Sequence, residues 1–457
     1  MEAGGLPSIS MRTWKIAAVT GAGAFMAMLD TTVANLAIAA IRRDFAVSLA
    51  MVQWVATGYL VALAVSLPVA GWLGSRHGYG RLWGAAMILF LLSSVGCALA
   101  PDIWSLIGAR LMQGLAAGVM VPAGQAVVGS VASARQLGRL MGTLGLVVAL
   151  GPAIGPGLGG LMLEVVSWRW LFWINVPVGF LALVAARHLV PRGDTTHARP
   201  LDGAGLLLIG AGLPTMLYGA ARLGTQGAGL VSLCIVLLGG VMVATFGWRA
   251  GYLRHPLIDV RLLHARRFAA ATLTTGLAGA NLYAGLLVLP LYLQVAAAQG
   301  AAGTGVQLLA MGLGSALMLP LAGALTDRLD APRVAMGGAA LLALSTLPLA
   351  LGVSLEGGGL AMLLAVRGAG LALAQMPAMT AAYASATQAQ MGDATTIVNV
   401  VQRVGGALGA IAVVIILSRG SGRSGDDAHD VAFAMLTLLA VATLASAALM
   451  RDRSRRH

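Results

Sequence analysis

Fourteen stretches of mostly apolar residues, each about as long as a bilayer-spanning helix, follow one another along this 457-residue chain. They lie near 16–41, 51–73, 82–100, 103–128, 137–163 and 170–190, then 203–221 and 229–248. Six more lie near 268–297, 305–325, 334–354, 359–384, 394–418 and 431–450. Only 10% of residues are charged, against about 25% in ordinary soluble domains. Such a chain cannot clothe a water-soluble surface, and it is too apolar to stay disordered. The alternating pattern of a membrane β-barrel is absent. The expected fold is therefore an all-α polytopic membrane protein with 14 transmembrane helices.

The formal charge of +13 would suggest nucleic acid on a soluble protein. Here the basic residues are scattered over many short loops, with no basic patch interleaved with aromatics, so nucleic acid is excluded as a partner. With the N-terminus cytoplasmic, the inner segments hold 20 of the 29 basic residues and the outer segments six. Arg110, Arg367 and Arg403 remain inside spans. The positive-inside rule then puts both termini in the cytoplasm. The first run carries Asp30 and Asn35 and is too long for a signal-peptide core, so it reads as an uncleaved spanning helix. Cys97 and Cys234 sit in apolar runs and read as small hydrophobes in buried helices. The stretch from His255 to Phe268 mixes Leu257, Ile258, Leu262 and Leu263 with three arginines. Its pattern fits an interfacial amphipathic helix, although a plain connector is the preferred reading.

An internal repeat lies beneath the spans. Gly71-Trp-Leu-Gly-Ser75-Arg76 with Arg81 follows the second span; Gly323-Ala-Leu-Thr-Asp327-Arg328 with Arg333 follows the tenth, at an offset of 252. A looser echo pairs Arg110, Gln113, Gly114 and Pro122 with Arg367, Gly368, Gly370 and Pro377. Repeats of this kind are common in transporters. The count divides as six, two and six, with boundaries at 1–200, 201–253 and 254–457.

These residues resemble the motifs of one family over nearly the whole chain. Met28 to Asn35, Gly71 to Arg81, Arg110 with Gln113 and Gly114, Gly151 to Gly160 and Trp168 to Gly179 are similar, in order, to five motifs of the fourteen-span drug:proton antiporters of the major facilitator superfamily. The resemblance implies two six-helix bundles with two inserted helices. It also implies alternating access, export of small lipophilic drugs from a bacterium across its inner membrane, and proton coupling through Asp30 and Arg110. The loop motifs, with Gly71, Arg76, Arg81, Gly323, Asp327, Arg328 and Arg333, would then serve conformational change. Ser75 departs from the family, which has Asp there, so the acidic lock is expected only in the second half, at Asp327. Asp330 stands where Gly is usual.

Asp30 is the one carboxylate near the centre of a span. An ionised Asp there costs about 2.5–3.5 kcal/mol on insertion scales, which makes a functional role the default reading. Arg110, brought beside it, would exchange an ion pair for a protonated acid; a static ion pair fixing helix packing is the alternative. Gly151, Pro152, Gly155 and Pro156 suit a bent helix that lines or seals a cavity. Arg403, beside Asn399, has three available roles: anchoring an anion, pairing with an acid, or snorkelling. Asn35, Gln113, Asn281 and Gln375 complete the candidate cavity and gating residues, with helix–helix hydrogen bonding favoured for Asn281 and Gln375. The histidines fall in loops or at span ends. No metal cluster, phosphate loop or nucleophile elbow is found, so neither enzymatic activity nor a cofactor is expected. Protons, a small lipophilic substrate and the bilayer are the expected partners, and a periplasmic adaptor protein is left open. One central carboxylate disfavours dications relative to monocations or neutral molecules. The rival functions are a dedicated exporter of one metabolite or self-made antibiotic, and a non-transporting sensor or scaffold.

Overall fold

Backbone amides in hydrocarbon must be satisfied within their own segment, so long apolar runs become helices. The computed structural model describes residues 8–133, 136–193, 200–226, 229–296, 301–353, 355–420 and 425–451. The helices are α1 Met11–Phe45, α2 Trp54–His77, α3 Tyr79–Ala98, α4 Ile103–Val131, α5 Leu137–Val165 and α6 Trp170–Leu189. They continue as α7 Gly203–Gln226, α8 Leu230–Tyr252, α9 Arg266–Leu291, α10 Ala301–Leu329 and α11 Ala331–Ala350. The last three are α12 Gly357–Ala384, α13 Met391–Gly420 and α14 Gly425–Leu449. Among the described residues, 13 helices are long and apolar enough to cross a membrane. The remaining predicted span, 137–163, lies within the 29-residue α5.

The packing repeats. In the first half α1 lies against α4, α5 and α6, while α2 and α6 flank α3 and α4 through the pairs α2–α4, α3–α4 and α3–α6. In the second half α9 lies against α12, α13 and α14, with the pairs α10–α12, α11–α12 and α11–α14. Each helix of one half thus has its counterpart eight places later. The halves meet where α5 packs on α10 and α12, and where α13 packs on α2 and α4. The inserted helices α7 and α8 form an antiparallel pair that leans on α2 and α13 through α7. Helix α8 turns Leu237, Leu238, Val241 and Trp248 outward, as a lipid-facing helix should.

The two ends of the bundle differ. At the end where α1 begins, here the near end, one apolar cluster spans both halves and includes Leu140 and Met141 together with Ala322, Met376 and Met391. At the far end the core is divided. Val33, Ile41, Val52 and Phe172 belong to one cluster, and Val288, Leu293, Leu360 and Phe433 to another. Hydrogen bonds that join the halves cluster at the near end. Tyr383 and Asn399 both donate to Gln125 Oε1, at 3.2 and 2.8 Å, and Gln388 donates to the Ser130 carbonyl at 3.0 Å.

One expectation changes, and one preferred reading holds. Cys97 is buried, but Cys234 is exposed on α8, because that helix is peripheral and its apolar surface meets lipid. The stretch from His255 to Phe268 is not an interfacial amphipathic helix. It is a connector with a short 3-10 turn at Val260–His264, and Leu257, Ile258 and Phe268 are buried in the near-end core. Their apolar surface is used by the bundle rather than by the membrane. The two inserted helices are tied to each other by Arg249 Nη1, which donates to Asp202 Oδ1 at 2.5 Å. Burial pushes the Asp202 carboxyl up, but Arg249 and the backbone N–H of Gly205 outweigh it and hold it below the ordinary carboxylate value.

The repeat extends to backbone strain. Gly78 has φ +85° and ψ +132° between α2 and α3; its counterpart Asp330, between α10 and α11, has φ +90° and ψ +131°. Glycine adopts that conformation freely and aspartate does not. The exposed Arg267–Asp330 contact, at 3.8 Å, is too open to offset the strain. Asp330→Gly is therefore expected to stabilise the protein by about 1 kcal/mol, read as a higher melting temperature in detergent.

Candidate functional site

Asp102 caps α4, its Oδ1 accepting from the backbone N–H groups of Trp104 and Ser105 at 2.8 and 3.0 Å. The cap fixes where α4 starts, and Arg110 falls about two turns further on. There its Nη1 donates to Asp30 Oδ2 of α1, so the two residues the sequence singled out do meet. Arg110 also donates through Nη1 to Gln113 Oε1 at 2.7 Å and through Nε to the Val55 carbonyl of α2 at 2.9 Å. Its guanidinium lies over the Tyr59 ring, 4.3 Å from the centroid.

The other carboxylate oxygen is equally occupied. Asp30 Oδ1 accepts from Gln113 Nε2 and from Asn175 Nδ2 of α6, each at 3.1 Å. The same two amides donate to Ser94 Oγ of α3, at 3.0 and 2.9 Å, and the Ser94 hydroxyl donates to the Phe172 carbonyl at 3.2 Å. Asp30 and Asn175 are 2% exposed, and Ser94, Arg110, Gln113 and Tyr59 are 0% exposed. A dry, closed network of this kind makes each electrostatic contact strong and each missing partner costly. Its members come from α1, α2, α3, α4 and α6, so one acid is in touch with most of the first half.

Ser94, Asn175 and Tyr59 were not among the sequence candidates. A signal was present for two of them: a Ser pair within the otherwise apolar second half of α3, and an Asn inside an otherwise apolar aromatic run.

Helix α5 supports this site on one face and meets the other half with its near end. A methyl group at Gly151 would stand 2.9 Å from the Leu29 nitrogen, and one at Gly155 would stand 2.9 Å from Thr32 Cγ2. These glycines let α1 and α5 touch beside Asp30. The side chains of Pro152 and Pro156 lie outside the described residues. At its first turn α5 offers the N–H groups of Gly138 and Arg139 to Asp327 of α10, at 3.0 and 3.1 Å, and Arg139 Nε adds a third bond at 2.9 Å. An acid at a helix N-terminus is favourable. Gly323 lies one turn away, where a methyl group would stand 2.3 Å from the Gly138 carbonyl oxygen.

The matching contact, α2 on α13, is built differently. Ser75 Oγ bonds back to the Trp72 carbonyl of its own helix at 2.9 Å. The Tyr79 phenol fills the gap instead, donating to the Gly71 carbonyl at 3.1 Å and occupying the place a side chain at Gly392 would need. The acid at this junction is on the receiving helix, as Asp393, buried in the first turn of α13. Arg76, Arg81, Arg328 and Arg333 are exposed at the near end.

The remaining candidates are dispersed. Asn35 is exposed on α1 and Gln375 is half-buried on α12. Asn399 bonds Gln125 across the halves. Arg403, half-buried on α13, makes no described hydrogen bond. Asn281 of α9 does not join the Asp30 network. It accepts from Arg367 Nη2 of α12 at 2.7 Å and donates to the Leu436 carbonyl of α14 at 2.7 Å.

The family model described as Major Facilitator Superfamily matches residues 20–410. The multidrug resistance protein B homolog of Mycobacterium tuberculosis is 36% identical over 399 residues, covering 86% of this chain and 74% of that protein. The lincomycin resistance protein LmrB of Listeria innocua is 27% identical over 399 residues, covering 87% and 84%. Among solved structures, the proton:xylose symporter XylE superposes with a TM-score of 0.63 at 14% identity, over 94% of both chains. The chain belongs to the major facilitator superfamily and is of its drug-efflux type.

The network predicts an ordered set of stabilities. Arg110→Met strands a buried carboxylate and should cost about 3–5 kcal/mol. Asp30→Asn should cost less, since Asn281 already serves Arg367 as an amide partner. The double variant should be more stable than Arg110→Met alone, because it removes the stranded charge. Thermal melting of the three purified variants checks the order.

Proposed function

We propose that this major facilitator protein is a proton-coupled antiporter that exports small lipophilic compounds from a bacterium by alternating access, with Asp30 as the proton carrier. The observation that carries the reading is the Asp30 network: a mid-membrane carboxylate, nearly dry, at the centre of a set of side chains drawn from five helices, its own included. The names of the relatives support the drug class of the cargo, and the positive-inside bias supports an inner-membrane protein with both termini in the cytoplasm.

The chemistry follows from the partners. While Asp30 is ionised, it ties α1 to α4 through Arg110 and to α6 through Asn175. A proton on the carboxylate removes the charge that Arg110 answers. Arg110 keeps its bonds to Val55 and Gln113, so α4 and α2 stay together while α1 is released. The glycine contact passes a shift of α1 to α5, and the first turn of α5 is latched to α10 by Asp327. Protonation and the near-end latch are then two ends of one packed path.

With the near end cytoplasmic, the closed near end and the divided far-end core belong to an outward-facing arrangement. The moving bodies are 1–200 and 254–457, and 201–253 is the inserted pair. The near-end contacts between Gln125, Tyr383 and Asn399 would part when the cycle turns inward. Protons moving down the membrane potential supply about 2.3 kcal/mol per charge per 100 mV, enough for roughly a fifty-fold gradient of cargo. No cofactor enters this scheme. A single acid already matched by Arg110 leaves little to hold a dication, so neutral or monocationic cargo is favoured.

In inverted vesicles, Asp30→Asn should abolish cargo movement driven by a pH gradient while the purified variant still melts cooperatively. Undiminished pH-driven movement in that variant would refute the assignment of Asp30. Strong efflux of a dicationic dye by the wild type would refute the expected cargo charge.

A further inference from the structure

The second half contains a buried arginine with no acid beside it. Arg367 is 0% exposed in the middle of α12. Nη2 donates to Asn281 Oδ1 at 2.7 Å, Nη1 reaches only the Met311 sulfur at 3.5 Å, and Nε has no partner. Among the described residues no carboxylate forms an ion pair with it. A lone cation in a dry bundle is costly, and packing alone would be better served by an apolar side chain.

Its surroundings copy those of Arg110. Arg110 reaches from α4 to Asp30 on α1 and to Val55 on α2. Arg367 reaches from α12 to Asn281 on α9 and to Met311 on α10, the counterpart helices in the same order. Asp30 is tied onward to α6 by Asn175, and Asn281 is tied onward to α14 by the Leu436 carbonyl. The glycine support recurs as well. Gly409 of α13 stands as Gly151 does, beside the residue just before the central polar one: a methyl group there would lie 2.4 Å from the Ala280 carbonyl oxygen of α9, and Gly405, one turn earlier, packs on the Gly276 carbonyl oxygen in the same way, at 2.2 Å. The helices that seat Asp30 recur around Asn281, although the amides of Gln113 and Asn175 that fill Asp30 Oδ1 have no side-chain counterpart among its described partners. At the centre of the site an amide stands in place of a carboxylate, and its nitrogen donates onward to Leu436 where Asp30 accepts from Asn175.

We propose that Arg367 and Asn281 form a silent second copy of the Asp30–Arg110 site, and that Asn281, by withholding a carboxylate from it, keeps exchange to a single acid per cycle. The inference rests on the reading of Asp30 as the proton carrier for its functional half, but its structural half stands independently. It makes Asn281 a residue that sets proton stoichiometry without touching cargo.

The test is Asn281→Asp, alone and combined with Asp30→Asn. A new acid buried in a membrane bundle ordinarily destabilises. Here it should form an ion pair with Arg367, so N281D should raise the melting temperature of the purified protein. The same substitution made together with Arg367→Gln should lower it. A fall in melting temperature for N281D alone, or failure of that variant to fold, overturns the proposal.

The functional arm uses ethidium, a lipophilic monocation, as the probe in inverted vesicles. D30N should lose pH-driven ethidium movement, and D30N/N281D should regain it. Loss in D30N without recovery in the double variant contradicts the silent site, whereas unchanged transport in D30N contradicts the role of Asp30. The melting arm needs no transported compound and decides the inference where ethidium is not carried.

Discussion

Everything in the first half is arranged around the cost of keeping one carboxylate ionised away from water. Asp30 is tolerable at mid-membrane because Arg110 neutralises it and Gln113 and Asn175 fill its other oxygen. Satisfying that acid draws side chains from four other helices, and the same demand makes the site sensitive to one proton. A group whose charge holds five helices together is a group whose neutralisation loosens them.

The near end turns that sensitivity into a question of which junction yields. The α5–α10 contact combines a helix N-terminus, an ion pair and touching backbones. The α2–α13 contact uses a phenol wedged against glycine, with its acid on the opposite partner. Because α5 also touches α1 beside Asp30, the α5–α10 latch is the one in mechanical contact with the buried acid. The inserted pair leans on α2 and α13 through α7, and the Arg249–Asp202 bond joins its two helices to each other.

Much of the architecture was legible in the sequence, since a run of apolar residues about as long as the bilayer is thick has few other uses. Asp30 and Arg110 were legible for a related reason: charge inside such a run is expensive enough to stand out. Ser94 and Asn175 were not singled out, because a small polar residue in a span costs little and carries no alarm. Their importance comes from converging on Asp30 from α3 and α6, which is a property of packing. Cys234 illustrates the opposite failure. Hydropathy cannot distinguish an apolar face turned to lipid from one turned to protein. The loop around Leu257 was ambiguous likewise, because its pattern suits a membrane surface and a bundle core equally. Tyr79 was invisible as a wedge, since only the fold brings Gly392 to meet it.

The central claim is that the Asp30 carboxyl changes protonation during the cycle. Infrared difference spectroscopy on protein with isotope-labelled aspartate, recorded as a transported compound is added, observes that event directly. The account predicts a protonated-carboxyl stretch that appears or disappears with the compound, moves with the label and is absent in Asp30→Asn. A spectrum in which no aspartate carboxyl changes, while transport proceeds, would contradict it.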